Sequence, residues 1–296
     1  MIRVVCSFLA VLIFFTNLAW GQTGNNIEER ITSNEPIVIT NNEPLYIDEN
    51  LVLLKKPKFF TAFFVPSTQY TDNVFLNGDN EQHDWVSSLT GGVDFKISTQ
   101  NNFKLNASLA ASKFYYQDNS PLDYDSLQGN IAVSYAHKKW LYSLQYAPAM
   151  VFEKDFNERI LTLHRFTGLA SKSYQPWNNF ILSPFSAAHY VTANPDEFSY
   201  VQIDTGVRAT YLITSKIAAS LTPQTYYKTY DDYFENQTGI KRADTGARIN
   251  AQISYKIKDN MNFTASAGYT RNNSTLTNNS YDLKNFSPTL QFTYKF

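Results

Sequence analysis

Acid–base or metal chemistry in this chain would have to rest on four histidines, His83, His137, His164 and His189. No two of them stand two or four residues apart, and the single cysteine, Cys6, lies in an apolar stretch near the N-terminus, so zinc-type ligand spacing is absent. A nucleophilic hydrolase would need a histidine beside Ser, Asn or a carboxylate in one pocket. No compact His-x-Ser-Asn-Gly arrangement occurs, and Ser186, three residues before His189, falls on the opposite face of an extended segment. His83 and His137 fall in connecting segments. His189 falls on a polar face near one strand end, and His164 stands beside Arg165 where the pattern does not settle its facing. The expectation is a protein without catalytic residues, bound metal or cofactor.

The charged residues carry a clearer pattern. Asp94, Lys96, Lys104, Asp204, Arg208, Lys228, Arg242, Asp244, Arg248 and Lys295 all fall on the polar side of segments whose other side is apolar. Asp204 and Arg208 stand four apart on one face, and Asp244 and Arg248 repeat the spacing two strands later. Charges of both signs on an enclosed polar face line a narrow aqueous channel, or pair across it and close it. Both arrangements fit the sequence.

Strands must position these charges. From Phe59 onward apolar and polar residues alternate with a period of two. Phe103, Leu105, Ala107, Leu109 and Ala111 interleave with Lys104, Asn106, Ser108, Ala110 and Ser112. Twelve such runs are counted, roughly 59–70, 85–98, 103–116, 126–136, 140–152, 159–174, 179–192, 200–213, 217–230, 242–255, 261–272 and 281–296; ten or fourteen follow if a pair is split or merged. The alternation blurs at Phe59-Phe60 and again at Leu161, Leu163 and Arg165. Short connections (99–102, 137–139, 175–178, 214–216, 256–260) take turns with long ones (71–84, 117–125, 153–158, 193–199, 231–241, 273–280). Barrels of bacterial outer membranes have short periplasmic turns and longer outer loops. Aromatics gather at strand ends: Phe95, Phe103, Tyr135, Trp140, Tyr211, Tyr255, Phe263 and Phe296 beside short turns, and Tyr70, Trp85, Tyr115, Tyr190, Tyr200, Tyr227 and Tyr281 beside long loops. Two interfacial girdles would look like this.

The chain has 296 residues, a formal net charge of -1, 17% charged residues and 16% aromatics. Without a basic stripe it does not read as a nucleic-acid binder. Outside the N-terminus there is no apolar run of the ~18 residues a spanning helix needs. Met1-Ile2-Arg3, the apolar Val4 to Phe15 and then Ala19-Trp20-Gly21 read as a cleaved secretion signal over residues 1–21. Residues 22–57 are polar, with Glu28, Glu29, Glu35, Glu43, Asp48 and Glu49, and read as a periplasmic extension or a partial plug. Residues 58–296 form the expected barrel. The long loops are acidic, with Asp72, Asp79, Glu81 and Asp84, then Asp118, Asp123 and Asp125, then Asp231, Asp232 and Glu235. Such runs are solvated surface, or oxygen ligands for divalent cations shared with lipopolysaccharide.

The last strand alternates Leu290, Phe292, Tyr294 and Phe296 with Thr289, Gln291, Thr293 and Lys295, and ends on the aromatic. It resembles the C-terminal signature of bacterial outer-membrane β-barrel proteins, which in that family is read by the barrel assembly machinery. Tyr70-Thr71-Asp72-Asn73-Val74 resembles the Tyr-x-Asp-Asn-Val/Ile segment near the start of a family of bacterial β-barrel porins, some associated with surface-polysaccharide systems. That match covers one hairpin and the general barrel pattern, and it transfers no catalytic residue. The combined expectation is an all-β, up-and-down antiparallel transmembrane barrel of about twelve strands in a bacterial outer membrane. Its expected partners are outer-membrane lipid and lipopolysaccharide, the assembly machinery and small polar solutes, without nucleic acid. The expected function is passive diffusion through a charged lumen. A structural or adhesion barrel with an occluded lumen, and an outer-membrane hydrolase, are the alternatives.

Overall fold

The computed structural model describes residues 60–74, 82–98, 102–231, 241–276 and 279–295. The secretion signal, the 22–57 extension and Phe296 lie outside the described residues. Thirteen strands follow in order: β1 (Phe60–Thr71), β2 (Asp84–Ser98), β3 (Phe103–Tyr116), β4 (Tyr124–His137), β5 (Trp140–Glu153), β6 (Arg159–Lys172), β7 (Tyr174–Trp177), β8 (Phe180–Asn194), β9 (Tyr200–Leu212), β10 (Ile217–Tyr230), β11 (Ala243–Lys258), β12 (Met261–Ser274) and β13 (Tyr281–Lys295). Each pairs antiparallel with its sequence neighbour, except that β6 passes over β7 to pair with β8. The four-residue β7 pairs with β8 alone, Tyr174 opposite Leu182 and Trp177 opposite Phe180. It therefore prolongs the β6 stave, and the wall has twelve staves.

The wall closes where β1 meets β13, with Phe64 opposite Phe292 and Ser67 opposite Thr289. No backbone edge is left, the condition for an extended chain to cross a bilayer. Burial follows the period of two. On β4, Leu127, Ile131 and Val133 are exposed while Ser126, Gln128, Asn130, Ala132 and Ser134 are buried. Leu109, Leu144, Ile203, Ile249 and Ile253 continue the exposed apolar belt on other strands. Water would not tolerate so continuous an apolar exterior, whereas hydrocarbon matches it.

Both girdles form on this outer face. Phe95, Phe103, Trp140, Tyr211 and Tyr255 stand at the short-turn end, and Trp85, Tyr115, Tyr190 and Tyr227 at the long-loop end. Two residues expected in the outer girdle are elsewhere: Tyr200 and Tyr281 are buried in the barrel interior. They stand in phase with Gln202 and Asp204 on β9 and with Leu283 on β13, all buried, so parity sends their rings inward.

Six prolines sit within the strands, and five coincide with breaks in a ladder; Pro176 falls in the β7–β8 gap between Tyr174 and Trp177, and Pro288 in the β1–β13 gap between Phe286 and Thr289. The β1–β13 pairing skips Val65 and Pro66, the β4–β5 pairing skips Ala147 and Pro148, and the β9–β10 pairing skips Thr222 and Pro223. A missing N–H accounts for each position. The tight turn from β4 to β5 places Lys138 at φ 54, a left-handed conformation, between the paired His137 and Trp140. A charge on the outer face tests the lipid assignment. Ile131→Arg should destabilise the folded barrel in lipid vesicles by about 2–4 kcal/mol in urea titrations. An unchanged midpoint would remove Ile131 from the hydrocarbon.

Candidate functional site

The interior changes along the barrel. At the long-loop end many of the inward side chains are apolar. Val86, Phe114, Tyr116, Tyr124, Val151, Leu161, Leu163 and Val191 form one buried cluster with Val74, Leu122 and Phe198 from the connections above. Phe114 and Tyr124 stack with centroids 4.2 Å apart and planes 3° from parallel.

Acidic side chains hold the covering loops. Asp84 accepts hydrogen bonds from the backbone N–H groups of Gln117, Asp118 and Asn119 at 3.0–3.1 Å and from Asn119 Nδ2 at 2.9 Å. Asp123 accepts from the Tyr116 N–H at 2.8 Å and from Lys154 Nζ at 3.1 Å. Asp125 accepts from the Phe156 N–H at 2.8 Å. Lys113 Nζ reaches Asp155 at 2.7 Å and Asp125 at 3.5 Å. The hydrogen bond to Asp123 raises the pKa of Lys154, and the Lys113 ammonium lowers that of Asp155. Three of the loop acids weighed as cation ligands, Asp84, Asp123 and Asp125, thus serve as acceptors that fold the loops.

Buried ions adjoin this cluster: Arg165, His189 and Asp204 lie farther from the long loops, while Lys228 and Arg242 stand beside Tyr200 and Tyr230, which belong to the cluster. His189 Nε2 donates to Asp204 Oδ2 at 2.8 Å, and Gln202 Nε2 donates to Asp204 Oδ1 at 2.8 Å. With its proton on Nε2, His189 accepts at Nδ1 from Arg165 Nη2 at 3.0 Å and from Thr167 Oγ1 at 2.9 Å. Thr167, His189 and Asp204 have the order of a nucleophile, base and carboxylate, but Arg165 donates into the same Nδ1 lone pair. The lone pair that would take the Thr167 proton is already engaged. Further round the wall Arg242 grips Asp244 with two hydrogen bonds, Nε to Oδ1 at 3.1 Å and Nη2 to Oδ2 at 2.7 Å. Lys228 Nζ donates to Tyr230 Oη at 3.3 Å, and Arg248 lies 4.7 Å from the Tyr226 ring centroid. Tyr226 crosses β11 above Gly246, where any Cβ would collide with its ring, and donates to Asn272 Oδ1 at 2.6 Å.

Towards the short-turn end the interior changes again. Asn106, Ser108, Ser183, Thr210, Ser220, Gln252, Ser254, Thr264, Ser266 and Gln291 point inward and are only half-buried. Lys104 and Arg208 share that environment, Lys96 is exposed and Asp94 is buried. Buried Lys256 pairs with Asp259 at 2.8 Å.

The structure thus places Lys228, Arg242 and Asp244 at the long-loop end, Asp204 and Arg248 farther down the wall, and Asp94, Lys96, Lys104 and Arg208 nearer the short turns. The ion pairs differ from those the spacing suggested. Asp244 pairs with Arg242, and Asp204 with His189, not with the residues four positions on. At ~3.3 Å rise per residue, positions four apart on a strand are separated by about 13 Å. Spacing alone does not mark Arg165, Lys256 or the inward Tyr200, Tyr226, Tyr230 and Tyr281 as lumenal. The loss of alternation around Leu161, Leu163 and Arg165 signals the inner face of β6 alone, because an apolar inner face erases the contrast. His164 faces outward, with Nδ1 2.8 Å from Tyr146 Oη. Leu290, Phe292 and Tyr294 lie on the outer face of β13, the last two exposed.

Removing one member of the His189 network strands the others. His189→Leu leaves Asp204 buried without its imidazole partner, and should cost about 3 kcal/mol in urea unfolding. Equal stability of the variant and the parent would show that this ion network is dispensable.

No family model matches the chain, and none of the curated proteins matches it in sequence. Solved structures do resemble it. An outer membrane channel from Pseudomonas putida F1 superposes with a TM-score of 0.52 at 10% identity, over 81% of this chain and 97% of that chain. LpxR from Salmonella typhimurium gives 0.47 at 11% identity, over 77% and 99%. The KdgM porin in complex with disordered oligogalacturonate gives 0.43 at 9% identity, over 78% and 99%. At such identities the likeness is one of fold, that of outer-membrane β-barrels.

Proposed function

We propose that this chain is a channel of the bacterial outer membrane, admitting small polar solutes and closed in the state described by the side chains of its outer half. The apolar exterior and its girdles support the location, with lipid and lipopolysaccharide as surroundings. The observation that carries the transport reading is the inner half of the lumen. Its Ser, Thr, Asn and Gln side chains remain half-exposed inside a closed wall. A barrel serving only as a scaffold gains stability by filling that volume, whereas a conduit must leave it wet.

The buried cluster in the outer half favours a second reading, a permanently occluded barrel whose working surface is its loops. One experiment separates the two. The refolded chain is reconstituted in planar bilayers alongside a Phe114→Ala, Tyr124→Ala double variant. The parent should show rare or small openings, and the variant, lacking the stacked pair, severalfold larger mean current. If both remain silent while retaining heat-modifiable migration on gels, the channel reading is lost and the occluded barrel stands.

A further inference from the structure

Buried positive charge exceeds buried negative charge where the end of β10 meets the start of β11 at the long-loop end. Lys228 is 3% exposed and Arg242 1% exposed. Their ladder neighbours are Asp244 and Tyr230, so the four side chains form one patch of the inner wall. Asp244 is committed to Arg242 through both its oxygens. Asp204, on β9, is engaged by His189 and Gln202. Lys228 therefore has no carboxylate within 4 Å among the described residues; its contacts are Tyr230 Oη and the face of Tyr200, 4.3 Å from Nζ. Arg242 Nη1 has no hydrogen-bond partner among the described residues. Both cations stand over the same ring, with Nζ 5.3 Å and the guanidinium carbon 4.3 Å from the Tyr230 centroid.

A guanidinium cannot shed its charge, so an orphaned N–H in a dry site calls for an acceptor. Aromatic faces offset part of the ammonium charge but accept no hydrogen bond in line. A guanidinium N–H, an ammonium and a phenol hydroxyl gathered round one ring are donors that oxyanions bind. We propose that Lys228, Arg242 and Tyr230 form a binding site for a small oxyanion, a phosphate or the carboxylate of a small solute, in the outer half of the lumen.

If the barrel conducts, this site names anions as its cargo; the binding itself does not depend on conduction. The test is therefore an equilibrium one. The refolded full chain in detergent is titrated calorimetrically with inorganic phosphate, and separately with glucuronate, at constant ionic strength. A saturable one-site isotherm is expected, together with a phosphate-dependent rise in the thermal midpoint. Lys228→Met and Arg242→Gln should each weaken binding by about tenfold or more. Tyr230→Phe, which keeps the ring, should weaken it less, and Lys104→Met near the turns should leave it unchanged. Saturation by phosphate alone assigns an inorganic oxyanion, by glucuronate alone a carboxylated sugar, and by both a general oxyanion site. Removal of a buried cation that lacks its counter-ion should also raise the midpoint of ligand-free Lys228→Met. Absence of saturation with both anions, or unchanged affinity in the folded variants, overturns the site. A conducting barrel without the isotherm would overturn this site and leave the channel reading intact.

Discussion

Closure of the backbone ladder between β1 and β13 is the constraint from which the remainder follows. In hydrocarbon an unpaired N–H or C=O has no water to turn to, so an open sheet cannot span. The seam sets Phe64 against Phe292 and Ser67 against Thr289, and hydroxyl contacts at 3.1–3.4 Å join Ser67 to Thr289 and Ser287 inside it. Because side chains alternate, a slip of one residue would turn Phe292 and Tyr294 inward and expose Thr293 to lipid. The seam therefore fixes the facing of β13, and each neighbouring ladder transmits that parity round the wall.

Closure also creates an interior that need not be uniform. The exterior answers to one solvent and is apolar throughout its middle. The interior answers to packing at one end and to water at the other. Leu161, Leu163, Val151 and Val191 fill the outer end, and Thr264, Ser266 and Gln252 line the inner end. Arg165, His189 and Asp204 lie between the two regimes, buried and therefore in need of partners. Their solution is a relay of shared donors, Arg165 to His189 to Asp204, more than a set of isolated pairs.

This division decides what the sequence could reveal. Where the inner face is polar, as along β4 and β11, outward Ile131 and Ile249 contrast with inward Asn130 and Asn250, and strands, turns and facing were legible. Where the inner face is apolar, as at Leu161 and Leu163, the contrast vanished and the stretch looked irregular. Tyr200 and Tyr281 depart from the expected girdle for a related reason. An aromatic at a strand end suits a girdle and a packed core equally, and only the register separates them. The ion pairs were illegible because they depend on which strands lie side by side and how far each is shifted. Local spacing offered Asp204 with Arg208; the wall offers Asp204 with His189, fifteen residues away in sequence and adjacent in space.

The same interior repairs the wall. Of the ladder breaks at Pro66, Pro148 and Pro223, two are bridged by inward side chains. Ser67 reaches Thr289 beside the Pro66 break, and Gln145 Nε2 donates to Asn130 Oδ1 at 2.7 Å beside the Pro148 break. At the Pro223 break the rings and stems pack instead: the Phe185 ring and the Gln224 stem crowd Gly206, leaving no room for a side chain there. Side chains thus reinforce the wall at these three breaks. A wall tied in this way resists widening. If the barrel is the channel proposed above, a change in what it admits would come from side chains of its outer half, such as the stacked Phe114 and Tyr124, and not from the strand pairings.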